Sequence, residues 1–328
     1  MIENQKLAGY HKAWETAAFF RPPYAGSLLI GGRDREAFIQ RQSTNDVRQL
    51  KPEQALLSVL TSPTARILDV LYLLSEQDQI QALTLANRGE ATAGFLQSRI
   101  FFMDQVTIQD TSPDWAQVYM VGPKTAQIFT QAFEIPYPGI DQVVIFQVGD
   151  DPVRFITAQP AVLPGGIFFS PAGVAGEIMS KLEAAGAGKM VSEAWEIFRV
   201  ELGLPGPKTE MNEEFTPLEI GLSEAVSDAK GCYTGQEIIA RQITYDKVTQ
   251  HLRVILLDKL LEPGAQIRVE GKKAGVLTSV VESPRFGPIG LGVVKRPYHE
   301  EDTLLELETG EGELVPARVL PMPLKTAH

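Results

Sequence analysis

The residues best equipped for chemistry fall in one octapeptide, Lys230-Gly231-Cys232-Tyr233-Thr234-Gly235-Gln236-Glu237, which holds the only cysteine in 328 residues. Thr234 to Glu237 has the T-x-x-E spacing of a capping box, in which the threonine hydroxyl covers a backbone N–H and the glutamate reaches back. Ile238, Ile239 and Ile243 follow as an apolar stripe. The spacing predicts a helix starting here, with Cys232 just outside its N-terminus and Lys230 two residues earlier. A helix dipole and an ammonium both favour the thiolate, the form of cysteine that acts as nucleophile or metal ligand. Gly231 and Gly235 let the backbone approach a ligand or adopt positive φ. The same residues also read as plain structure: Cys232 as a small buried hydrophobe, Glu237 as a cap, and Glu237 with Arg241 as an i,i+4 pair.

Three further charged residues stand out. Arg199 and Glu201 lie two residues apart on a helix expected over 192–202, so they project in different directions. Pattern alone makes them solvated helix charges. Asp69 interrupts the apolar run RILDVLYLL. A carboxylate there stands at a strand end or faces a cavity, and a buried one needs a partner. No G-x-G-x-x-G occurs. The stretch AGAGKMV misses the phosphate-loop pattern, with Glu183 in place of its first glycine and Met190 in place of Ser or Thr.

Composition narrows the function classes. The net charge of −11 excludes a broad nucleic-acid face, which needs clustered Lys and Arg. One cysteine excludes an intrachain disulfide. His11, His251, His299 and His328 are scattered, so no metal-ligand spacing exists, and the chain offers at most one thiolate to an iron–sulfur cluster. The first fifteen residues lack a basic segment followed by an apolar run. No apolar stretch approaches the roughly 18–20 residues of a membrane span. A cytoplasmic, reducing compartment is expected, with no membrane and no direct nucleic-acid partner.

The elements that must position these residues follow from periodicity. Residues 27–47 read as a strand, a Gly-Gly turn and a helix, and 55–86 as successive strands. A helical pattern covers 89–101, a strand, Gly-Pro turn and helix cover 117–133, and a hairpin covers 142–157. The 192–202 helix has Ser192 as N-cap, with Gly203 and Pro205 as stops. From 252 the period changes to two, in six short strands with Gly/Pro turns, which predicts a small β-barrel or sandwich. The expected division is 1–248 and 249–328.

In this order the segments resemble the YgfZ-type folate-binding proteins of the aminomethyltransferase (glycine cleavage T-protein) superfamily. KGCYTGQE carries the most specific match; LLIGGRDREAFIQRQSTNDV, VGPKTAQIF, FRVELGLP, TPLEIGL and GVLTSVVESPRFGPIGLGVV are collinear with it. The resemblance implies an α+β fold of three lobes around a central channel, two interleaved lobes in 1–248 and a C-terminal β-barrel. It also implies tetrahydrofolate as ligand. Glu201 would accept the paired N–H donors of the pterin, Arg199 or Arg241 would neutralise the folate carboxylates, and Gly231, Tyr233, Gly235 and Gln236 would line the site. Cys232 and Lys230 would face the same channel, serving iron–sulfur client or assembly proteins and, through them, tRNA modification. A folate-dependent aminomethyl or methyl transferase is the alternative, with Asp69 as acid/base group. Two departures accompany the match. The G-G-x-x-D-D segment of aminomethyltransferases appears as ARILDV, with Val70 after Asp69, and the usual glycine after the cysteine motif is Asp246.

Overall fold

The computed structural model describes residues 5–140, 142–157 and 163–322; His328 lies outside them. The chain forms two compact units. The first comprises the residues up to Pro63, Leu68–Trp195 and Glu224–Thr234; the second comprises Thr64–Ile67, Glu196–Ser223 and the residues from Gly235 on. A single boundary near 249 therefore does not divide the chain, because segments distant in sequence pack together.

The first unit contains two antiparallel-rich sheets. One has five strands in the order β3 (Ala55–Thr61), β4 (Ile67–Ser75), β5 (Gln79–Thr84), β2 (Gly26–Gly31) and β6 (Thr107–Asp110). The other runs β11 (Gly188–Lys189), β1 (Ala18–Phe20), β7 (Trp115–Val121), β10 (Gly165–Pro171), β9 (Asp151–Thr157) and β8 (Val143–Val148). Besides α1 (Tyr10–Glu15), the unit has four helices that sort between the sheets. Helices α2 (Arg35–Gln42) and α3 (Gly89–Gln97) bring Phe38, Ile39, Ala93 and Leu96 onto Leu28, Ile30, Leu71, Leu73, Ile80 and Ala82 of the five-stranded sheet. Helices α4 (Thr125–Phe133) and α5 (Ala175–Ala184) pack Phe129, Ile178 and Leu182 against Val118, Phe155 and Phe168 of the six-stranded sheet. Between the sheets lie Leu74, Leu83, Val143, Ile156, Ile167 and Phe169. The unit is thus helix, sheet, sheet, helix. Strand β4 reads as one apolar run because both its faces are buried.

In the second unit the six predicted strands close into a barrel: β12 (Gln250–Leu257), β15 (Gly287–Lys295), β14 (Lys272–Ser283), β13 (Gln266–Val269), β16 (Leu304–Glu308) and β17 (Leu314–Val319), which pairs back to β12. Alternate residues fill the interior, among them Ile255, Leu257, Ile267, Leu277, Val294, Leu305, Leu307 and Val319. The helix expected over 192–202 forms as α6 (Ser192–Glu201), and α7 (Gln236–Thr244) precedes the barrel. No described helix is long and apolar enough to cross a membrane.

The barrel holds a stacked pair of imidazoles, His251 and His299, with ring centroids 4.5 Å apart. Burial, then His299, Arg253 and Arg296, push His251 down to about 4, with Asp246 opposing. Unfolded histidine titrates near 6.5, so between about 6.5 and 4 the unfolded chain binds more protons. Stability present above pH 6.5 is lost as pH falls through that window. Acidification from pH 7 to 4 should remove roughly 2 kcal/mol through this pair, after allowance for solvent screening of a partly exposed ring. Urea titrations of wild type and His251→Asn across that range check it: the wild-type minus variant difference should slope, and a flat difference would refute the assignment.

Candidate functional site

In the first unit, Lys230 is 5 % exposed and its ammonium donates to three backbone carbonyls, those of Gln40 (2.8 Å), Ser43 (2.6 Å) and Asn45 (2.7 Å). These lie at the end of α2 and in the turn after it, where carbonyls lack intrahelical partners. Burial pushes Lys230 down to about 8, with Asp46 opposing. The ring of Tyr233 lies 5.0 Å from the ammonium. All three ammonium protons therefore serve carbonyls, and the expected pairing of Lys230 with the thiol is displaced by this arrangement. Cys232 itself is exposed, so the packing reading of that residue fails. Gly231 is exposed and its α-carbon faces open space, so it makes no close backbone approach.

The predicted capping box does not form at Thr234. Helix α7 begins at Gln236, and its N-cap is Gly235 at φ 85°, with no side-chain cap. Glycine adopts that left-handed conformation without strain, and the backbone turn takes Thr234 out of capping position. Its carbonyl accepts a hydrogen bond from the Thr61 hydroxyl (2.6 Å) instead. A true capping box occurs in TPLEIGL, where Thr216 and Glu219 cap a short 3₁₀ turn. On α7 the buried residues are Ile239 and Gln242, whereas Ile243 is 42 % exposed. Gln236 is half-buried, and Glu237 and Arg241 are exposed. Asp246, after the helix, has a left-handed backbone, φ 48°. Arg296 grips both its carboxylate oxygens, at 2.8 and 3.1 Å.

Asp69 is 1 % exposed and faces helix α3, on the side of β4 that carries Leu71 and Leu73. Oδ1 accepts from the backbone N–H of Val70 (2.8 Å) and Leu85 (3.1 Å), and Oδ2 from the Thr92 hydroxyl (2.5 Å). Burial pushes the carboxyl up to about 6 against these three hydrogen bonds. Val70, the next residue, points to the opposite face of the sheet.

The second unit holds two carboxylates, each organised by a serine of the barrel. Glu201 ends α6 and is fully buried. It accepts from the Ser283 hydroxyl (2.5 Å) and lies 3.6 Å from the Arg285 guanidinium. The Ser283 oxygen accepts in turn from the N–H groups of Arg285 and Phe286, both at 3.0 Å. Glu210 is also fully buried and accepts from Ser279 (2.7 Å), Gly206 N–H (2.7 Å), Thr209 (2.5 Å) and Arg199 (3.3 Å). The register shift between Leu277 and Ser279 turns Ser279 toward this cluster.

Arg199 also donates to Glu196 (2.7 Å), Leu204 O (3.2 Å), Thr209 (3.5 Å) and Ser279 (2.9 Å). Its five N–H donors are all engaged, which leaves none for a ligand carboxylate. Of the two arginines considered for that task, exposed Arg241 remains. Sequence reasoning missed the serines and Arg285; their signal was the spaced pair of motifs T-S and S-P in GVLTSVVESPRFG. Lys230, Gly231, Cys232, Tyr233 and Asp69 belong to the first unit, and Glu201, Arg199, Gly235, Gln236 and Arg241 to the second. Among the described residues, no group of three or more His, Cys, Asp or Glu is placed to hold a metal.

Comparison with known proteins bears on this arrangement. Residues 10–143 match the GCVT N-terminal domain, and residues 250–325 match the glycine cleavage T-protein C-terminal barrel domain. A chloroplastic protein of Arabidopsis thaliana, whose name assigns it only to the transferases, is 32% identical over 83% of the chain; the match spans 63% of that relative's length. An aminomethyltransferase of Oceanobacillus iheyensis is 22% identical over 98% of the chain and 91% of its own length. One of Listeria innocua is 25% identical, with 98% and 90% covered. The crystal structure of glycine cleavage system aminomethyltransferase T from Bartonella henselae superposes with a TM-score of 0.83 at 20% identity, covering 97% of this chain and 89% of that one. The chain thus carries, in order, matches to both the N-terminal and the C-terminal barrel domain of the glycine cleavage T-protein, and it shares the α+β fold of an aminomethyltransferase.

Proposed function

We propose that this protein binds tetrahydrofolate and acts as a folate-dependent one-carbon transferase of the aminomethyl type. One observation carries the folate half: Glu201 is a buried carboxylate whose orientation is fixed by Ser283 and Arg285 before any ligand arrives. A preorganised carboxylate suits the two adjacent N–H donors of a pterin. Arg241, exposed on α7, would meet the folate carboxylates. Folate supplies the nitrogen that carries the one-carbon unit. Full-length aminomethyltransferase relatives support the transfer half. Asp69 retains one unoccupied lone-pair direction, on Oδ2, for exchange of a proton.

A second reading is favoured by two features together: the missing second aspartate at Val70, and the exposed thiol of Cys232. In it the protein is of the YgfZ type, and Cys232 serves iron–sulfur client or assembly proteins, as one transient ligand or as acceptor of a one-carbon unit.

Calorimetric titration of tetrahydrofolate into wild type, Glu201→Gln and Cys232→Ser tests both. Glu201→Gln should weaken binding roughly 10- to 100-fold, the worth of a charge-assisted hydrogen bond. Equal affinity would refute the pterin assignment. One-carbon transfer from a methylamine-type donor that survives in Cys232→Ser supports the transferase. Absent transfer in wild type, with [4Fe–4S] enzyme support lost in Cys232→Ser, supports the second reading.

A further inference from the structure

Residues 224–234 are fastened to the end of α2 and to β3 at successive points. Asn45 Nδ2 donates to Glu224 O (2.9 Å), Thr44 Oγ1 to Ala225 O (2.5 Å), and Ser227 N–H to Thr44 O (3.1 Å). Lys230 then reaches the carbonyls of Gln40, Ser43 and Asn45, and Thr61 holds the carbonyl of Thr234. Cys232 stands exposed between the last two of these attachments.

A tetrahedral ammonium presents three N–H bonds that diverge from one point, and here each meets a carbonyl. A thiolate partner would need one of those bonds. The charges that act on the ammonium are those of Asp46 and Arg48, and those two are engaged with each other at 2.9 and 3.0 Å. Nothing in this geometry directs the lysine charge toward sulfur. Everything in it directs the lysine toward the turn Ser43 to Asn45.

We infer that Lys230 is a positioning residue: its ammonium pins the 224–234 segment to the turn after α2 and so fixes where Cys232 stands, rather than acting as counter-charge to the thiol. The functional weight of that placement rests on the second reading above, in which Cys232 is the working group. The pin itself does not depend on it.

The test uses the full chain, in which any thiol reagent reports on Cys232 alone. Amide exchange at Ser227, whose N–H donates to Thr44 O, should become about 10- to 100-fold faster in Lys230→Met. The pH midpoint of Cys232 alkylation by iodoacetamide should not move between wild type and that variant. Lys230→Arg is the second arm, because a planar guanidinium keeps the charge but cannot aim three bonds at these carbonyls; it should also speed exchange. An alkylation midpoint that rises in Lys230→Met and stays put in Lys230→Arg, with exchange unchanged in both, would overturn the inference in favour of a counter-charge. If wild type fails to bind tetrahydrofolate, the proposed function falls, and the exchange comparison still decides this point.

Discussion

Replacing Asp69 by alanine is expected to destabilise the protein by about 4 kcal/mol, because three donors in the first unit then lose their only carboxylate. The Val70 and Leu85 N–H groups and the Thr92 hydroxyl converge on it, and the residue is 1 % exposed, so water does not replace it. Asp69→Asn keeps an acceptor for the two amides and a donor for the threonine oxygen, and should cost no more than about 1.5 kcal/mol. The pair also has a pH signature. The folded carboxyl titrates near 6 and the unfolded one near 3.8, so between those values the folded state holds more protons. This contribution is fully present below pH 3.8 and is lost as pH rises through 6. The wild-type minus Asn difference in denaturation free energy should therefore fall over that interval. Urea denaturation at pH 4, 5, 6 and 7 measures it. An Asp69→Ala protein with wild-type stability would show that the carboxylate is not the centre of this cluster.

The second large effect concerns Arg199. Its removal leaves the Glu210 carboxylate buried without its cation, which costs about 3–5 kcal/mol when one partner of a buried pair is deleted. Gly206 shows how closely the arginine is fitted, because a β-carbon there would lie 2.7 Å from the Arg199 guanidinium carbon. The double variant Arg199→Met, Glu210→Gln removes both charges and should recover more than half of the loss. A double-mutant cycle by chemical denaturation gives the coupling directly. If Arg199→Ala instead leaves stability intact, the guanidinium is free for another task, and the folate carboxylates become its natural partner.

These two residues show what the sequence could and could not disclose. Period-two alternation made the barrel legible, most plainly in β16 and β17, where buried and exposed residues alternate. Strand β10, GGIFFSP, carries no such signal: six of its seven residues are buried, and an apolar run without alternation fits several structures. Asp69 was legible as an anomaly, but its three donors come from β4 itself, the end of β5 and helix α3, which only the fold brings together. Arg199 and Glu201 looked like solvated helix charges because helical spacing says nothing about barrel serines some eighty residues away. The capping box misled for a local reason: Gly235 entered a left-handed conformation that T-x-x-E spacing does not reveal. Family resemblance suggested a role for Glu201 that periodicity did not, and it could not tell which charges were already engaged.

The chain passes between its two units after residues 63, 67, 195, 223 and 234. A ribosome delivers that chain in one direction. The first unit lacks its last strip, Glu224–Thr234, until residue 234 has emerged, and Lys230 has no place in the turn after α2 before then. By that time residues 196–223 of the second unit are already outside, waiting for a barrel whose strands are still to be made. Neither unit can be finished before the other is begun, so their synthesis overlaps instead of running one after the other.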